Sequence, residues 1–199
     1  MKIVIKIGTS TLTHSTGRTN IRRVADLCRV ISDLKNAGHE IILVSSGAIA
    51  MGVGKLNLST RPSDAPTKQA AAAVGQCELM YIYDRLFAEH NHTVAQLLIT
   101  APDIDDPVRK ENFHNTLERL LAFRVLPIIN ENDTVSTEEL GIGDNDTLSA
   151  TVAASVNADL LVLLSDIDGL YDSDPRANPE AHLIHRVTAL TEEIRRMAG

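Results

Sequence analysis

The sequence predicts an α/β protein, a three-layer sandwich with a mostly parallel sheet and helices on both faces. Short apolar runs typical of strands alternate along the chain with longer segments of helical spacing. Strands separated by helices are joined by crossover connections, which place them parallel in one sheet. Polar clusters directly follow several of the apolar runs. Ligand sites in open parallel sheets lie beyond the carboxyl ends of the strands, so these clusters indicate a binding site.

The first strand is expected at Lys2–Ile7, where Ile3, Ile5 and Ile7 share one face. Pro127 cannot donate to a sheet ladder, so it must lie early in its strand or face away from a partner. Further strands are expected at 41–44, 94–99, 125–129 and 160–164. Helices are expected at 21–37 and 146–157, with another opening at 47–51, a long one through 79–87 and one through 113–121. Segment 57–68 is expected to be a loop and 135–142 a small hairpin.

Composition and charge exclude several classes of protein. The net charge of −7 and the lack of a Lys/Arg block argue against nucleic acid as a partner. No apolar run is long enough to span a bilayer. The two cysteines, Cys28 and Cys77, have neither metal-type spacing nor a disulfide framework, which suits the reducing cytoplasm.

Two acidic and amide-rich clusters are the most informative polar segments. The run 130–133 (Asn-Glu-Asn-Asp) follows an apolar strand, and the run 143–146 (Gly-Asp-Asn-Asp) opens an Ala-rich helix. Asp144, Asn145 and Asp146 suit the binding of a substrate ammonium or the organisation of lysines. Helix capping with a favourable helix-dipole interaction is the structural interpretation, and the two roles are compatible.

Two further segments each have a functional and a structural interpretation. Lys6 and Gly8 suit a phosphate that the backbone approaches closely, but a strand-end lysine and a turn glycine are an equal alternative. The run 45–47 (Ser-Ser-Gly) suits anion binding at a helix start, although an ordinary serine N-cap is the favoured interpretation of that run alone. Neither a Walker A loop nor a Gly-x-Gly-x-x-Gly fingerprint is present. Taken together, the clusters indicate a small-molecule kinase.

The chain resembles the amino acid kinase family through six segments in the family order. They are 2–12 (KIVIKIGTSTL), 44–52 (VSSGAIAMG), 68–76 (KQAAAAVGQ), 128–135 (IINENDTV), 143–150 (GDNDTLSA) and 165–175 (SDIDGLYDSDP). The last is shared across the family, whereas the pairing of 130–133 with 143–146 resembles the branch that phosphorylates glutamate. Residues 1–199 would then form one amino acid kinase domain, with the substrate-binding part and the start of the nucleotide-binding part and no second domain.

The resemblance implies a cytoplasmic enzyme that transfers phosphate from ATP, with Mg²⁺, to the γ-carboxylate of L-glutamate, the first step of proline biosynthesis. It also implies a homo-oligomer and proline as a possible feedback inhibitor, with 57–68 as a candidate feedback element. No residue is assigned as a direct metal ligand. The implied roles are catalysis for Lys6 and Asp146; substrate binding for Ser46, Asp133, Asn145 and, less directly, Asn130; and ATP binding for Lys6, Gly8, Thr9, Ser165 and Asp166.

The absence of a recognisable general base fits this chemistry. A γ-carboxylate has a pKa of about 4.3 and is already an anion at neutral pH. Family members continue beyond the position of Gly199 into a Gly-rich segment with a second phosphate-binding lysine, so a C-terminally incomplete fold and slow phosphate transfer are expected here. Two alternatives stay open: a kinase for another small acid or a nucleotide, and an amino-acid-binding fragment without catalysis.

Overall fold

Strands and helices alternate along the chain, as the apolar pattern predicts. The computed structural model describes residues 1–14, 16, 18–136 and 145–197. The strands are β1 (Lys2–Ile7), β2 (Glu40–Ser45), β3 (Val94–Ile99), β4 (Leu126–Glu131) and β5 (Leu160–Leu164). The helices are α1 (Thr9–Leu12), α2 (Ile21–Asn36), α3 (Ala48–Lys55), α4 (Ala65–Ala88), α5 (Ala101–Asp105), α6 (Pro107–Ala122), α7 (Asn145–Ser155) and α8 (Glu192–Met197).

The chain divides into two compact units, Met1–Leu164 and Ser165–Gly199. The first unit contains the whole sheet and seven of the helices described. The second contains an antiparallel bridge between Tyr171 and Leu183, and α8. No helix in the described ranges is long and apolar enough to cross a membrane.

The five strands form one sheet in the order β3-β4-β2-β1-β5, and every neighbouring pair is parallel. This confirms the predicted fold class. Because β1, β2 and β4 are adjacent, the residues that follow them emerge side by side at one edge of the sheet, although long stretches of sequence separate them.

Apolar side chains of β1 point alternately into two cores, one on each face of the sheet. Ile3, Ile5 and Ile7 pack against α2 and α4, and Val4 packs against α6 and α7. Cys28 of α2 is buried in the first core, where burial raises the pKa of its thiol to about 12. The two cores account for helices on both faces, since each face of a parallel sheet must be covered.

Helices α3 and α4 cross at a contact that only glycine permits. A Cβ on Gly75 would lie 1.7 Å from the carbonyl oxygen of Ala48, and one on Gly52 would lie 1.8 Å from that of Ala71. Both distances are far inside van der Waals contact, so the two backbones touch directly. The crossing fixes α3, whose first turn borders the site described below.

The structure corrects one predicted boundary and resolves one alternative. The loop expected at 57–68 ends earlier, because Asp64 caps α4 by accepting a hydrogen bond from Thr67 N at 2.9 Å. Pro66 lies in the first turn of α4, where its missing N–H removes no helical hydrogen bond. Pro127 is the second residue of β4, and pairing with β2 begins only at Ile128. The hairpin expected at 135–142 lies outside the described residues, apart from 135 and 136.

Candidate active site

A cleft of about 250 Å³ lies at the carboxyl ends of the central strands. Its walls come from the segments after β1, β2 and β4, from the start of α7, and from one residue of the segment before α4. The lining residues are Thr9, Ser46, Gly47, Ala48, Ile49, Ala50, Arg61, Asn130, Glu131, Asp133 and Asn145. The cleft therefore contains all four residues predicted to bind the substrate.

The turn from β2 into α3 places Ser46 at this cleft. Gly47 is the N-cap of α3 and has φ +99°, a conformation that side chains other than glycine adopt rarely. Neither serine of the run caps α3, so the favoured N-cap interpretation of that run is wrong. Ser45 instead contacts the hydroxyl of Tyr83 at 3.0 Å, and Ser46 faces Asn145.

A network of side-chain amides links the residues that line the cleft to one another. Asn145 Nδ2 lies 2.7 Å from Ser46 Oγ, 3.0 Å from the Ser45 carbonyl oxygen and 3.1 Å from Asn130 Oδ1. Asn130 is 2% exposed, and its Nδ2 donates to Gln76 Oε1 at 2.9 Å. The structure thus brings the clusters around 130 and 145 together, as their positions after a strand and at a helix start predict.

Lys6 and Asp146 form an ion pair beside this network. Lys6 Nζ lies 2.6 Å from Asp146 Oδ1, with the lysine side chain 11% exposed and the aspartate side chain 43% exposed. Asp146 follows Asn145 directly on α7, so the pair adjoins the cleft that Asn145 lines. A nearly buried ammonium with one carboxylate partner retains hydrogen-bond donors for an anionic ligand.

Gly8 brings the backbone close to the Lys6 ammonium. A Cβ at Gly8 would lie 3.5 Å from Lys6 Nζ, so the side chain of any larger residue would contact that ammonium group. Gly8 N donates to the Leu164 carbonyl oxygen at 3.3 Å, which ties the end of β1 to β5. Thr9, the next residue, lines the cleft.

The cleft also holds side chains of opposite charge at its mouth. Burial, and secondarily the carboxylate of Glu131, raises the pKa of Asp133 to about 6. Arg61 is exposed and is the only basic residue among the described residues that line the cleft. A ligand that carries both an ammonium and a carboxylate would find a partner for each group here.

Ser165 and Asp166 begin the second unit, directly after β5 in sequence. Ser165 Oγ donates to Asp166 Oδ1 at 3.3 Å, and Asp166 also pairs with Arg176 at 2.7 Å. Their role in nucleotide binding stays a prediction. Asp144 lies outside the described residues.

Sequence reasoning missed two residues of this region, Arg61 and Gln76. Arg61 lies in the segment noted only as a candidate feedback element, and nothing in the sequence indicates which of its side chains reaches the cleft. Gln76 is the last residue of the segment 68–76. A polar residue on the apolar face of a long helix is unusual, and this pattern could have identified it. Within the described ranges no group of three His, Cys, Asp or Glu side chains is arranged to hold a metal ion.

The fold is that of an α/β protein, and a polar cleft at the carboxyl ends of its strands, beside a nearly buried lysine, suits a small anionic ligand. The family model described as "Amino acid kinase family" matches residues 1–196. The chain therefore belongs to the amino acid kinase family and is a kinase, which confirms the class inferred from the sequence clusters.

Curated relatives cover the whole chain at high identity. A protein named Glutamate 5-kinase from Clostridium perfringens is 51% identical over 202 residues, which span 100% of this chain and 75% of the relative. A Glutamate 5-kinase from Clostridium tetani is 53% identical over 197 residues, which span 99% of this chain and 74% of the relative. The chain thus spans about three quarters of the length of these relatives.

A solved structure supports the fold independently. The product complex of T. acidophilum isopentenyl phosphate kinase matches with a TM-score of 0.63 over 92% of this chain and 78% of that one. At 19% identity this likeness concerns the fold alone.

Proposed function

We propose that the protein transfers the γ-phosphoryl group of ATP to the side-chain carboxylate of L-glutamate, giving glutamyl 5-phosphate, the first step of proline biosynthesis. The observation that carries the proposal is the convergence in one cleft of a cation, a carboxylate and a network of amides, Arg61, Asp133 and Asn145 among them. The 51% identity to proteins named Glutamate 5-kinase supports the choice of substrate.

The charged side chains of the cleft suit the α-amino acid end of glutamate. Asp133 pairs with the α-ammonium, and Arg61 pairs with the α-carboxylate. Ser46 contacts a carboxylate oxygen of the substrate, and the amides of Asn130 and Asn145 lie directly beside it. The γ-carboxylate is thereby directed toward the Lys6–Asp146 pair, beside Asn145 on α7.

The chemical step needs charge stabilisation rather than a base. An oxygen of the γ-carboxylate forms a bond to the γ-phosphorus of ATP, while the bond from that phosphorus to the β,γ-bridging oxygen breaks and ADP leaves. Because the carboxylate is already ionised, no proton has to be removed. Lys6 offsets the repulsion between the two anions and stabilises the negative charge on the transferring group. Asp146 holds the Lys6 ammonium in place through its 2.6 Å ion pair.

The residues near Lys6 fit a nucleotide with its magnesium ion. The carboxylate of Asp146 would offer Mg²⁺ an oxygen ligand of the kind it prefers, and Mg²⁺ at nucleotide sites needs few direct protein ligands. When bound, Mg²⁺ would neutralise charge on the β- and γ-phosphates. Gly8 leaves room for the phosphates beside the Lys6 ammonium, and Thr9 borders the same space.

The same cleft suits feedback by proline. Proline carries an α-carboxylate and an ammonium next to each other, so the pair Arg61 and Asp133 would bind it in competition with glutamate. Arg61 lies between α3 and α4, in the segment 57–68 that is the candidate feedback element, so this segment would take part in binding the inhibitor. The two free cysteines suit a cytoplasmic enzyme. A homo-oligomeric state stays a prediction.

The test is ADP release with Mg-ATP, with the acyl phosphate trapped by hydroxylamine as the hydroxamate. The panel contains L-glutamate, L-aspartate, N-acetyl-L-glutamate, which lacks the ammonium, and UMP. We expect hydroxamate from L-glutamate alone and competition by L-proline. Turnover of another member of the panel would replace the substrate. Glutamate binding without ADP release would favour a non-catalytic binding protein.

A further inference from the structure

Gln76 is a buried polar residue that lies outside the cleft yet touches its amide network. It is 8% exposed on the inner face of α4. Its Oε1 accepts a hydrogen bond from Asn130 Nδ2 at 2.9 Å. Its Nε2 is also buried and has no hydrogen-bond partner among the residues that the structure describes. A buried amide that satisfies only its oxygen is costly, so its presence on the inner face of α4 calls for an explanation.

The orientation of the Asn130 amide follows from a backbone group that cannot be reversed. Glu131 N donates to Asn130 Oδ1 at 2.9 Å, so the atom in that position must be an oxygen. The other atom of the amide is therefore the NH₂ group, and it needs an acceptor. Gln76 supplies that acceptor, and the opposite orientation of Gln76 would place two NH₂ groups against each other.

A second backbone group determines the orientation of Asn145. The Ser45 carbonyl oxygen can only accept, so the Asn145 atom that lies 3.0 Å away is Nδ2. The same nitrogen lies 3.1 Å from Asn130 Oδ1 and 2.7 Å from Ser46 Oγ. Asn130 Oδ1 thus accepts from Glu131 N and lies within hydrogen-bond reach of Asn145 Nδ2, while the NH₂ group of Asn130 donates to Gln76 on the other side.

The hydroxyl of Ser46 is the end of this chain of contacts. Three acceptors surround the two hydrogens of Asn145 Nδ2, and Ser46 Oγ is the nearest of them at 2.7 Å. With its oxygen accepting there, Ser46 directs its own O–H elsewhere, and Ser46 lines the cleft. We propose that Gln76 is a positioning residue, which holds Asn130 and Asn145 so that Ser46 presents a hydrogen-bond donor to an anionic oxygen of the bound substrate. This inference rests on the proposed function, because it requires an anionic substrate in the cleft.

The test compares two replacements of Gln76 in the full chain. Gln76→Glu keeps an acceptor for Asn130 and exchanges only the NH₂ group that has no described partner. Gln76→Leu has a similar volume and removes the acceptor. The measurements are the Kd of L-glutamate by calorimetry, the KM for glutamate and for ATP, kcat, and the midpoint of thermal unfolding. Ser32→Ala removes another buried hydroxyl, on α2, and serves as the control for an unspecific loss of buried polarity.

The proposal predicts that affinity and stability rank the variants in opposite orders. Gln76→Leu should weaken glutamate binding about 10- to 100-fold, because it leaves the Asn130 NH₂ group without a partner. Gln76→Glu should bind within about threefold of the wild type, yet unfold at a lower temperature than Gln76→Leu, since it buries an ionisable group. The KM for ATP should stay within about twofold in both, and Ser32→Ala should bind like the wild type.

Two results would overturn the inference. If wild-type protein binds glutamate and the affinities follow the unfolding midpoints, Gln76 acts only on stability. If Gln76→Leu binds as tightly as the wild type, the network does not depend on Gln76. A wild-type protein that neither binds nor phosphorylates glutamate overturns the proposed function itself, and the inference falls with it.

Discussion

The two ends of the parallel sheet each carry a concave surface. Helix N-termini border the one at the carboxyl ends of the strands, and helix C-termini border the one at the amino ends. At the carboxyl ends, the first residues of α3 and α7 line the cleft of about 250 Å³, so the N-termini of both helices border it. At the amino ends, α2, α4 and α6 terminate around a larger cavity of about 730 Å³. Helix N-termini favour anions and helix C-termini favour cations, so the smaller cleft suits an anionic substrate better.

Basic residues at the amino-end cavity have a local structural role. Lys35 Nζ donates to the carbonyl oxygen of Arg124 at 3.3 Å, just beyond the end of α6. Burial lowers the pKa of Lys35, and the nearby Glu40 opposes that shift. Cations at helix C-termini balance unpaired carbonyl groups and need no ligand. Cavity volume and helix direction therefore favour different ends of the sheet, and helix direction favours the carboxyl-end cleft for an anionic ligand.

The largest expected effect is on kcat, and it should distinguish the two lysines of β1. Lys6→Met should lower kcat about 10²- to 10³-fold, because it removes the charge that stabilises the transferring phosphoryl group. Lys2→Met is the matched control, since Lys2 lies on the same strand at the amino end and pairs with Glu118 at 2.8 Å. It should cost about 1 kcal/mol of stability and leave kcat unchanged. Equal losses of kcat in both variants would contradict the assignment.

A second prediction concerns the contact that fixes α3 beside the cleft. Gly75→Ala should destabilise the protein by about 3 kcal/mol, because the added Cβ would lie 1.7 Å from the Ala48 carbonyl oxygen. Ala73→Ser, on the exposed face of the same helix, should change stability by less than about 0.5 kcal/mol. Urea denaturation measures both. An unchanged midpoint for Gly75→Ala would mean that α3 and α4 separate freely.

A third prediction concerns the pH dependence of substrate binding. Burial, with Glu131 second, raises the pKa of Asp133 to about 6, and an ammonium binds the ionised form better than the protonated one. Glutamate affinity should therefore rise as the pH increases through about 6 and level off above it. Asp133→Asn should abolish this dependence and weaken binding about 10- to 100-fold at pH 7.5. Calorimetric titration across this pH range measures the effect, with Asp26→Asn on the exposed face of α2 as the control.

The same shift predicts how stability depends on pH. The folded-state pKa of Asp133 lies above the value of about 3.9 expected in an unfolded chain. The folded state therefore holds this proton more tightly, and the contribution of Asp133 to stability is lost as the pH rises from about 4 to about 6. Asp133→Asn should remove that part of the stability profile. A wild-type profile identical to that of the variant would contradict the raised pKa.

The smallest expected effect compares one arginine at each end of the sheet. Arg61→Gln should raise the KM for glutamate about fivefold, since an exposed ion pair contributes about 1 kcal/mol. Arg124→Gln changes the amino-end cavity and should leave that KM within about twofold. Steady-state kinetics at saturating ATP measure both. A larger effect of Arg124→Gln than of Arg61→Gln would move the proposed carboxylate site to the other end of the sheet.

Local patterns in the sequence predicted the five strands and the longer helices of the first unit, but not the short helices α1 and α5. Alternation in β1 predicted which isoleucines share a core, because side chains of a strand point to opposite faces in turn. The position of polar runs after apolar strands predicted the edge of the sheet that carries the cleft. The start of α4 was predicted too late, because two prolines were interpreted as loop signals, although one lies in the first turn of a capped helix.

The contacts between distant segments were decided only by the tertiary structure. Asn145 meets Ser46 across 99 residues of sequence, and Gln76 meets Asn130 across 54. Strand order brings such pairs together, and no local propensity encodes it. The positions of Arg61 at the cleft and of Gly75 against α3 have the same origin. The sequence by itself thus determined the strands, the helices and the chemical groups at the sheet edge, while packing determined which groups meet, because the burial of apolar faces on both sides of the sheet sets the distances between them.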